Sequence, residues 1–228
     1  MKDKNLAIIP ARGGSQRIPG KNIMDFLGKP MIAYSIEAAK NSGIFEEIMV
    51  STDDDMIAEI SKKFGANVPF MRSAKNSDHH AVLADVVDEV IGYYKSKDRN
   101  FDFVCCILPT APLIQLKNLL QGYELQKSGK YNSVRPLIKF NYPVQRAFKL
   151  KDDGIAEFIY PEYVKSRSQD LEPAYHDAGQ FYWMYFEKGM IQENKGGFEI
   201  SELEAQDIDN KSDIKMAELK YVTLKEKK

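Results

Sequence analysis

The chain has 228 residues, 43% of them apolar and 29% charged, a composition that excludes a disordered or fibrous chain and suits one folded domain with at most an excursion. Its 32 basic and 33 acidic side chains leave a net charge of −1, so no strong overall positive potential exists to hold a nucleic acid by counterion release. The longest strongly apolar run without a charge, Phe103 to Pro112, is too brief to span a bilayer, and no apolar segment of signal length precedes the first strand-like run. The expectation is a cytoplasmic protein with neither a membrane nor a nucleic-acid partner.

Leu6 to Ile9 reads as a buried strand that runs into the glycine loop Arg12-Gly13-Gly14-Ser15. Pro30 opens a helix in which Ile32, Ile36 and Ala39 recur at helical spacing until Gly43. Glu47 to Ser51 gives a second strand, and the helix after it carries Ile57, Ile60 and Phe64 on one face before Gly65. Asn67 to Met71 supplies a third strand. Ala81 to Tyr94 is an amphipathic helix, with Leu83, Val87, Val90, Ile91 and Tyr94 on one stripe. Phe101 to Leu108 is a near-continuous apolar run, the mark of a strand covered on both faces. Within it Cys105 and Cys106 point to opposite faces, where a mutual disulfide would be strained, and they read as two small core residues. The alternation of strand and helix predicts an α/β, three-layer α/β/α Rossmann-like unit with a mainly parallel sheet. Ligands in such folds bind outside the carboxyl ends of the strands.

Beyond about Ser128 the pattern changes. Ser133 to Ile138, Gln145 to Leu150 and Ile155 to Ile159 read as short strands joined by turns such as Asp152-Asp153-Gly154. Tyr160 to Ala178 is polar and irregular, suited to an arm or a lid. Phe181 to Phe186 returns to strand composition, its aromatics packing as a strand, and from Lys211 the tail reads as a helix with Ile214, Ala217 and Leu219.

The segment Pro10 to Asn22 holds Arg12, Arg17 and Lys21 with no acid between them, beside Gly13 and Gly14, whose amides can approach an anion without a Cβ in the way. A polyphosphate suits it, yet it is no P-loop: five residues separate Gly14 from Gly20, and Asn22 follows Lys21 where a hydroxyl would hold Mg²⁺. Asp207 and Asp209 flank one apolar residue, so on an extended segment both carboxylates face one way and can share a hard divalent cation; capping of the tail helix is the alternative. Asp53, Asp54 and Asp55 precede a helix and read as capping residues without metal. His79 and His80 have no third ligand near in sequence and read as solvated or nucleotide-adjacent, not as a zinc site.

Together with Gly28-Lys29-Pro30, Ser51-Thr52-Asp53-Asp54, Leu108-Pro109-Thr110-Ala111-Pro112 and Asp207-Ile208-Asp209, the loop resembles the CMP-sugar synthetases, the acylneuraminate cytidylyltransferase family that activates 3-deoxy sugar acids. The match covers most of the chain in the family's order. Arg167 to Pro173 and Tyr175 to Trp183 look most like the branch that acts on pseudaminic acid, with sialic acid enzymes more distant.

The resemblance implies a nucleotidyltransferase fold in a single domain over residues 1–228, with an inserted dimerisation arm at about 140–178 and a homodimer. It implies attack by the anomeric hydroxyl of a nine-carbon sugar acid on the α-phosphorus of CTP, with release of pyrophosphate. Nucleotide contacts would come from Ala11, Arg12, Gly13, Gly14, Ser15, Lys21, Asn22 and Arg72, the last two orienting ribose and base. Asp207 and Asp209 would place Mg²⁺, and Arg12, Lys21 and Asp209 would be catalytic. Arg146, Arg167, His176, Asp177 and Gln180 would bind the sugar acid, the arginines by bidentate pairing with its carboxylate; an ion pair with Asp170 or Glu172 is the alternative for Arg167.

Two positions depart from the family pattern. Gln16 stands where relatives usually have lysine, with Arg17 a substitute cation, and Leu108 stands where sialic acid enzymes carry glutamine. Another sugar acid, or a non-catalytic nucleotide sensor on the same scaffold, is the rival reading. The intact acid pair argues against a sensor, which has no need of a metal at the reacting phosphate.

Overall fold

The computed structural model describes residues 3–15, 17–78, 80–190 and 193–226, so Gln16 and His79 lie outside the described residues. β1 (Asn5–Pro10) leads through the glycine loop to a small ribbon of β2 (Asp25–Phe26) and β3 (Lys29–Pro30). There follow α1 (Met31–Ser42), β4 (Glu47–Ser51), α2 (Asp55–Phe64), the single-turn α3 (Ala74–Ser77), α4 (Leu83–Lys95), β5 (Phe103–Ile107), α5 (Leu116–Lys127) and β6 (Ser133–Lys139). The second half holds a hairpin of β7 (Phe148–Leu150) and β8 (Ala156–Phe158), then β9 (Tyr175–Asp177), β10 (Phe181–Tyr185), β11 (Lys195–Glu199) and α6 (Lys211–Glu226).

The main sheet has the order β11-β6-β10-β5-β1-β4, with β9 also on β6. Strands β4, β1, β5, β6 and β11 share one direction, while β10 runs against both of its neighbours and β9 against β6. The sheet is thus mainly parallel, and its two faces are covered by different helices. Ala7, Ile9, Cys105 and Ile107 pack with Ile32 and Ile36 of α1, Ile57 of α2 and Leu119 of α5. Leu6, Ile8, Met49 and Cys106 pack with Val87, Val90 and Ile91 of α4 on the other side. Period-2 alternation along β1 and β5 therefore divides one apolar run between two layers. Both cysteines are free and wholly buried, and burial pushes the Cys105 thiol up and the Cys106 thiol up to about 12.

The expected third strand is absent. Asn67 makes a single bridge to Met49, exchanging backbone bonds with Ile48 and Val50, and the ladder stops there because Pro69 has no N–H to donate. The amphipathic stripe from Leu83 forms α4 two residues later than expected, and the expected strand Gln145 to Leu150 is a turn, Val144–Arg146, followed by the short β7. The short β2, β3, α3 and β9 and the longer α5 and β11 have no counterpart among the expectations, β9 falling within the stretch Tyr160 to Ala178 expected to be irregular. The buried face of α5 sets Asn118, Gly122 and Gln126 among its apolar Leu119 and Tyr123, which weakens the apolar stripe, and a Cβ on Gly122 would stand 2.9 Å from Trp183 Cδ1. In β11 the pair Gly196-Gly197 weakens any strand signal, yet added Cβ atoms there would come within 2.5 Å of Tyr131 and 2.4 Å of Leu137. The glycines are set by close approach.

Between β6 and β9 the chain leaves the sheet, forms the β7–β8 hairpin and returns. This excursion exposes Tyr142 at 86% and Leu150 at 72%, with Phe148, Ile155 and Ile159 each at least half exposed. Among the described residues no helix is long and apolar enough to cross a membrane.

Burial of both thiols has a direct consequence: a colorimetric disulfide reagent should label neither cysteine in the native protein and both in urea. Stoichiometric labelling without denaturant would contradict the packing.

Candidate active site

At the carboxyl end of β1 the backbone of Ala11, itself buried, donates to the Ser51 carbonyl at 2.9 Å, so the glycine loop starts fixed to the end of β4. Gly13 N–H donates to Asp53 Oδ1 at 2.9 Å, and Asn22, 7% exposed, donates to the Arg12 carbonyl at 2.8 Å. A Cβ on Gly13 would stand 2.7 Å from Asp54 Oδ2, whereas one on Gly14 would meet nothing within 4 Å. Only the first glycine is required by contact. Asp54 caps α2 by accepting from Ile57 N–H at 3.0 Å, as expected, while Asp53 turns to the loop.

The loop borders a cleft of about 470 Å³ lined by Arg12, Ser15, Arg17, Lys21 and Asn22 on one side and Pro109 and Thr110 on another, within the size range of small-molecule sites. Arg12 reaches the Asp78 carbonyl at 3.2 Å. Lys21 is the pivot of the far wall: its Nζ donates to the Ile208 carbonyl at 2.6 Å and lies 3.9 Å from Asp209 Oδ1. Burial lowers the Lys21 pKa, and Asp209 and Asp207 act in the opposite sense. Arg17 pairs with the other oxygen of Asp209. Ile208 is fully buried in a small cluster with Phe26, Met31 and Ile214, so its neighbours Asp207 and Asp209 turn outward beside Lys21. Asn210, not either of these acids, caps the tail helix by accepting from Ser212 and Asp213 N–H at 2.9 and 3.1 Å, and Asp213 reaches back to accept from Asp209 and Asn210 N–H. The described residues contain no cluster of three or more metal-ligating side chains, and the two carboxylates form an oxygen-only donor pair of the kind that holds Mg²⁺ together with substrate phosphates and water.

Arg72 is only 7% exposed. It donates through Nε to Ser51 Oγ at 2.9 Å and through Nη2 to the Ser51 carbonyl, and burial lowers its pKa while Asp53 and Glu89 oppose this. The charge of Arg12 acts on it in the same sense as burial.

The residues expected to bind a sugar acid separate into three environments. Arg146 and Arg167 stand on the excursion, outside the cleft; Arg167 forms a bidentate pair with Asp170 at 2.6 and 3.1 Å, and Arg146 lies 3.5 Å from Ser168 Oγ. Gln180 is 1% exposed and donates to the Glu204 carbonyl at 2.5 Å. Asp177 and His176 lie on β9, where the His176 ring is 4.9 Å from that of Phe140 and tilted by 57° to it, and Asp177 accepts from Gly179 N–H at 2.8 Å and Tyr182 Oη at 3.2 Å.

Beside Asp177 the structure adds a residue absent from the expectations. Arg135 on β6 lies 3.3 Å from Asp177 Oδ2, with its guanidinium over the Tyr182 ring at 4.9 Å. Burial and then the charge of Asp177 push the Tyr182 phenol pKa up. Arg135 was findable as the lone charge in the otherwise uncharged run Ser133 to Ile138.

Residues 6–193 match the family described as Cytidylyltransferase. A curated relative, the pseudaminic acid cytidylyltransferase of Campylobacter jejuni, is 44% identical over 225 residues, covering 96% of both chains. The chain belongs to the cytidylyltransferase family. The CMP-N,N'-diacetyllegionaminic acid synthase of Legionella pneumophila is 38% identical over 78% of this cytidylyltransferase and 76% of its own length. Among solved structures, a CMP:2-keto-3-deoxy-manno-octonic acid synthetase complexed with CTP superposes with a TM-score of 0.68 at 17% identity, covering 98% of this chain and 99% of its own, which establishes the shared fold. This cytidylyltransferase is therefore a nucleotidyltransferase.

The contrast between the two loop glycines is testable. Gly13→Ala should weaken pyrophosphate binding about tenfold by calorimetry, equivalent to ~1.4 kcal/mol, while Gly14→Ala stays near wild type. Equal effects would show that the Asp54 contact is immaterial.

Proposed function

We propose that this cytidylyltransferase transfers CMP from CTP to the anomeric hydroxyl of a nine-carbon sugar acid, pseudaminic acid, giving the CMP-sugar and pyrophosphate. The observation that carries the chemistry is that Lys21 stands between the cationic cleft and the Asp207–Asp209 pair. The choice of sugar is supported by the near full-length likeness to the Campylobacter enzyme.

In this reading Arg12, Arg17, Lys21 and the Gly13 and Gly14 amides take the triphosphate, a task of positioning and charge neutralisation with no covalent nucleophile. Ala11 and Ser15 would shape the loop, and Asn22 and Arg72 would orient ribose and base. Asp207 and Asp209 would hold Mg²⁺, which supplies Lewis-acid polarisation at the α-phosphate and acidifies the attacking hydroxyl. Arg17, now on Asp209, is 68% exposed and loosely held, so it is free to turn to a phosphate. Arg135 and Asp177, backed by Tyr182, present donors and acceptors that suit hydroxyl and amide groups of the sugar, and His176 borders them. Arg146 and Arg167, outside the cleft of their own copy, would reach a cleft in a homodimer, in which the exposed apolar excursion of one copy covers another. Cytoplasmic location accords with the use of CTP.

Pyrophosphate release with CTP and a panel of sugar acids tests the reading: pseudaminic acid should be the preferred acceptor over legionaminic, sialic and octulosonic acids. Binding of CTP without release from any of them would leave only a nucleotide sensor. Asp209→Asn should lower kcat by about a hundredfold or more, the size expected when a group stabilising developing charge is lost, with the circular dichroism spectrum unchanged. Near-normal turnover would remove the metal role. For the dimer, Leu150→Asp should shift the sedimentation coefficient from that of a dimer to that of a monomer; a wild-type chain that sediments as a monomer at micromolar concentration would refute it.

A further inference from the structure

Residues 202–209 form a strap that passes from the β5–β10 edge of the sheet to the loop after β1, and it carries Asp207 and Asp209. Its attachments fall on backbone carbonyls. Lys220 Nζ donates to those of Glu202 at 2.9 Å and Ala205 at 2.8 Å, Gln180 Nε2 to that of Glu204 at 2.5 Å, and Lys21 to that of Ile208. The Glu204 carboxylate, on a residue 6% exposed, is in turn held by Asn118 Nδ2 at 2.9 Å and Lys117 Nζ at 2.5 Å, both from the start of α5. A short irregular segment is thereby tied to α5, α6, the sheet edge and the glycine loop.

Gln180 is the member that packing alone does not explain. Its neighbours Ala178, Phe181 and Ala205 belong to the apolar core, and its Oε1 is buried with no partner. An amide half satisfied in such a place carries a desolvation cost that leucine or methionine of similar size would avoid. What the amide does provide is its bond to the strap. Its own carbonyl accepts from Leu108 N–H at 2.8 Å, and the Leu108 carbonyl accepts from Ser35 Oγ at 2.7 Å, so the same residue fixes the turn leading to Pro109 and Thr110 in the cleft wall.

We propose that Gln180 and Glu204 are positioning residues: they set the place of the Asp207–Asp209 carboxylates against the cleft wall, and so determine how well a divalent cation is held there. This rests on the metal role proposed for that acid pair. Gln180 acts through the Glu204 backbone, and Glu204 through its buried bond to Asn118 and its ion pair with Lys117; neither lines the cleft.

The test uses Mn²⁺ as a spectroscopic stand-in, titrated into the full-length protein with CTP present and followed by electron paramagnetic resonance. CTP affinity in EDTA is measured by calorimetry. Gln180→Leu should weaken Mn²⁺ binding about tenfold, as when a group orienting a metal ligand is removed, and lower kcat, with CTP affinity in EDTA and KM for CTP little changed. Lost packing alone would reduce the unfolding temperature and leave the metal affinity of the folded protein where it was. If Gln180→Leu does not fold, Glu204→Gln, isosteric and still able to present its carbonyl to Gln180, carries the test with a loss in the same direction. Unchanged Mn²⁺ affinity in the variant that folds, while Asp209→Asn weakens it, overturns this proposal and leaves the metal reading standing. Unchanged affinity in Asp209→Asn as well overturns both.

Discussion

The Lys21 ammonium donates to a carbonyl 187 positions away, that of Ile208, and stands beside Asp209. Burial works against its charge, and the two acids work for it. A lysine so placed is held by what surrounds it, and it holds them in return: the glycine loop on one side, the acidic strap on the other. Apart from the contacts of Lys21, the polar contact among the described residues that joins the loop after the first strand to the segment before the last helix is the exposed Arg17–Asp209 pair, and exposed pairs are weak. The cleft exists as a site because the Lys21 contact brings cationic and anionic elements to one edge of the sheet.

Three further features follow from that edge. The parallel strands β1, β4 and β5 end together, so the segments after them, Ala11 to Asn22, Thr52 to Asp54 and Leu108 to Thr110, converge. Arg72 is folded back on Ser51 and Thr52 because the chain after Asn67 cannot continue as a strand past Pro69. The antiparallel β10 places Gln180 and Tyr182 at the same edge from the opposite direction, since its start lies against the end of β5. A net charge of −1 thus conceals a sharp local separation of cations and acids.

The excursion between β6 and β9 obeys a different logic. Its hairpin is set by the Asp153-Gly154 turn, with Gly154 at φ 84° and Ile155 N–H bonded to Asp153. Its large side chains find no interior in one copy of the chain. This exposed apolar surface is what the proposed homodimer would cover.

Much of this architecture was legible in residue order. Periodicity gave β1, α1, α2, α4 and β5, the opposed faces of Cys105 and Cys106 and the Asp54 cap, because local repeat and capping are properties of neighbouring residues. The basic loop and the Asp-Ile-Asp spacing were legible as motifs for the same reason. Folding decided the rest. The glycines that obscure α5 and β11 in residue order are required by close approach to Trp183, Tyr131 and Leu137, contacts made in the folded chain that no local pattern reveals. The pairing of Lys21 with Ile208, the burial of Gln180 beneath Glu204 and the meeting of Arg135 with Asp177 are long-range as well. The sequence by itself determined which chemical groups the protein carries and which short segments present them; only the tertiary structure decided which of those groups face one another, because distance and burial arise when strands far apart in the chain are laid side by side.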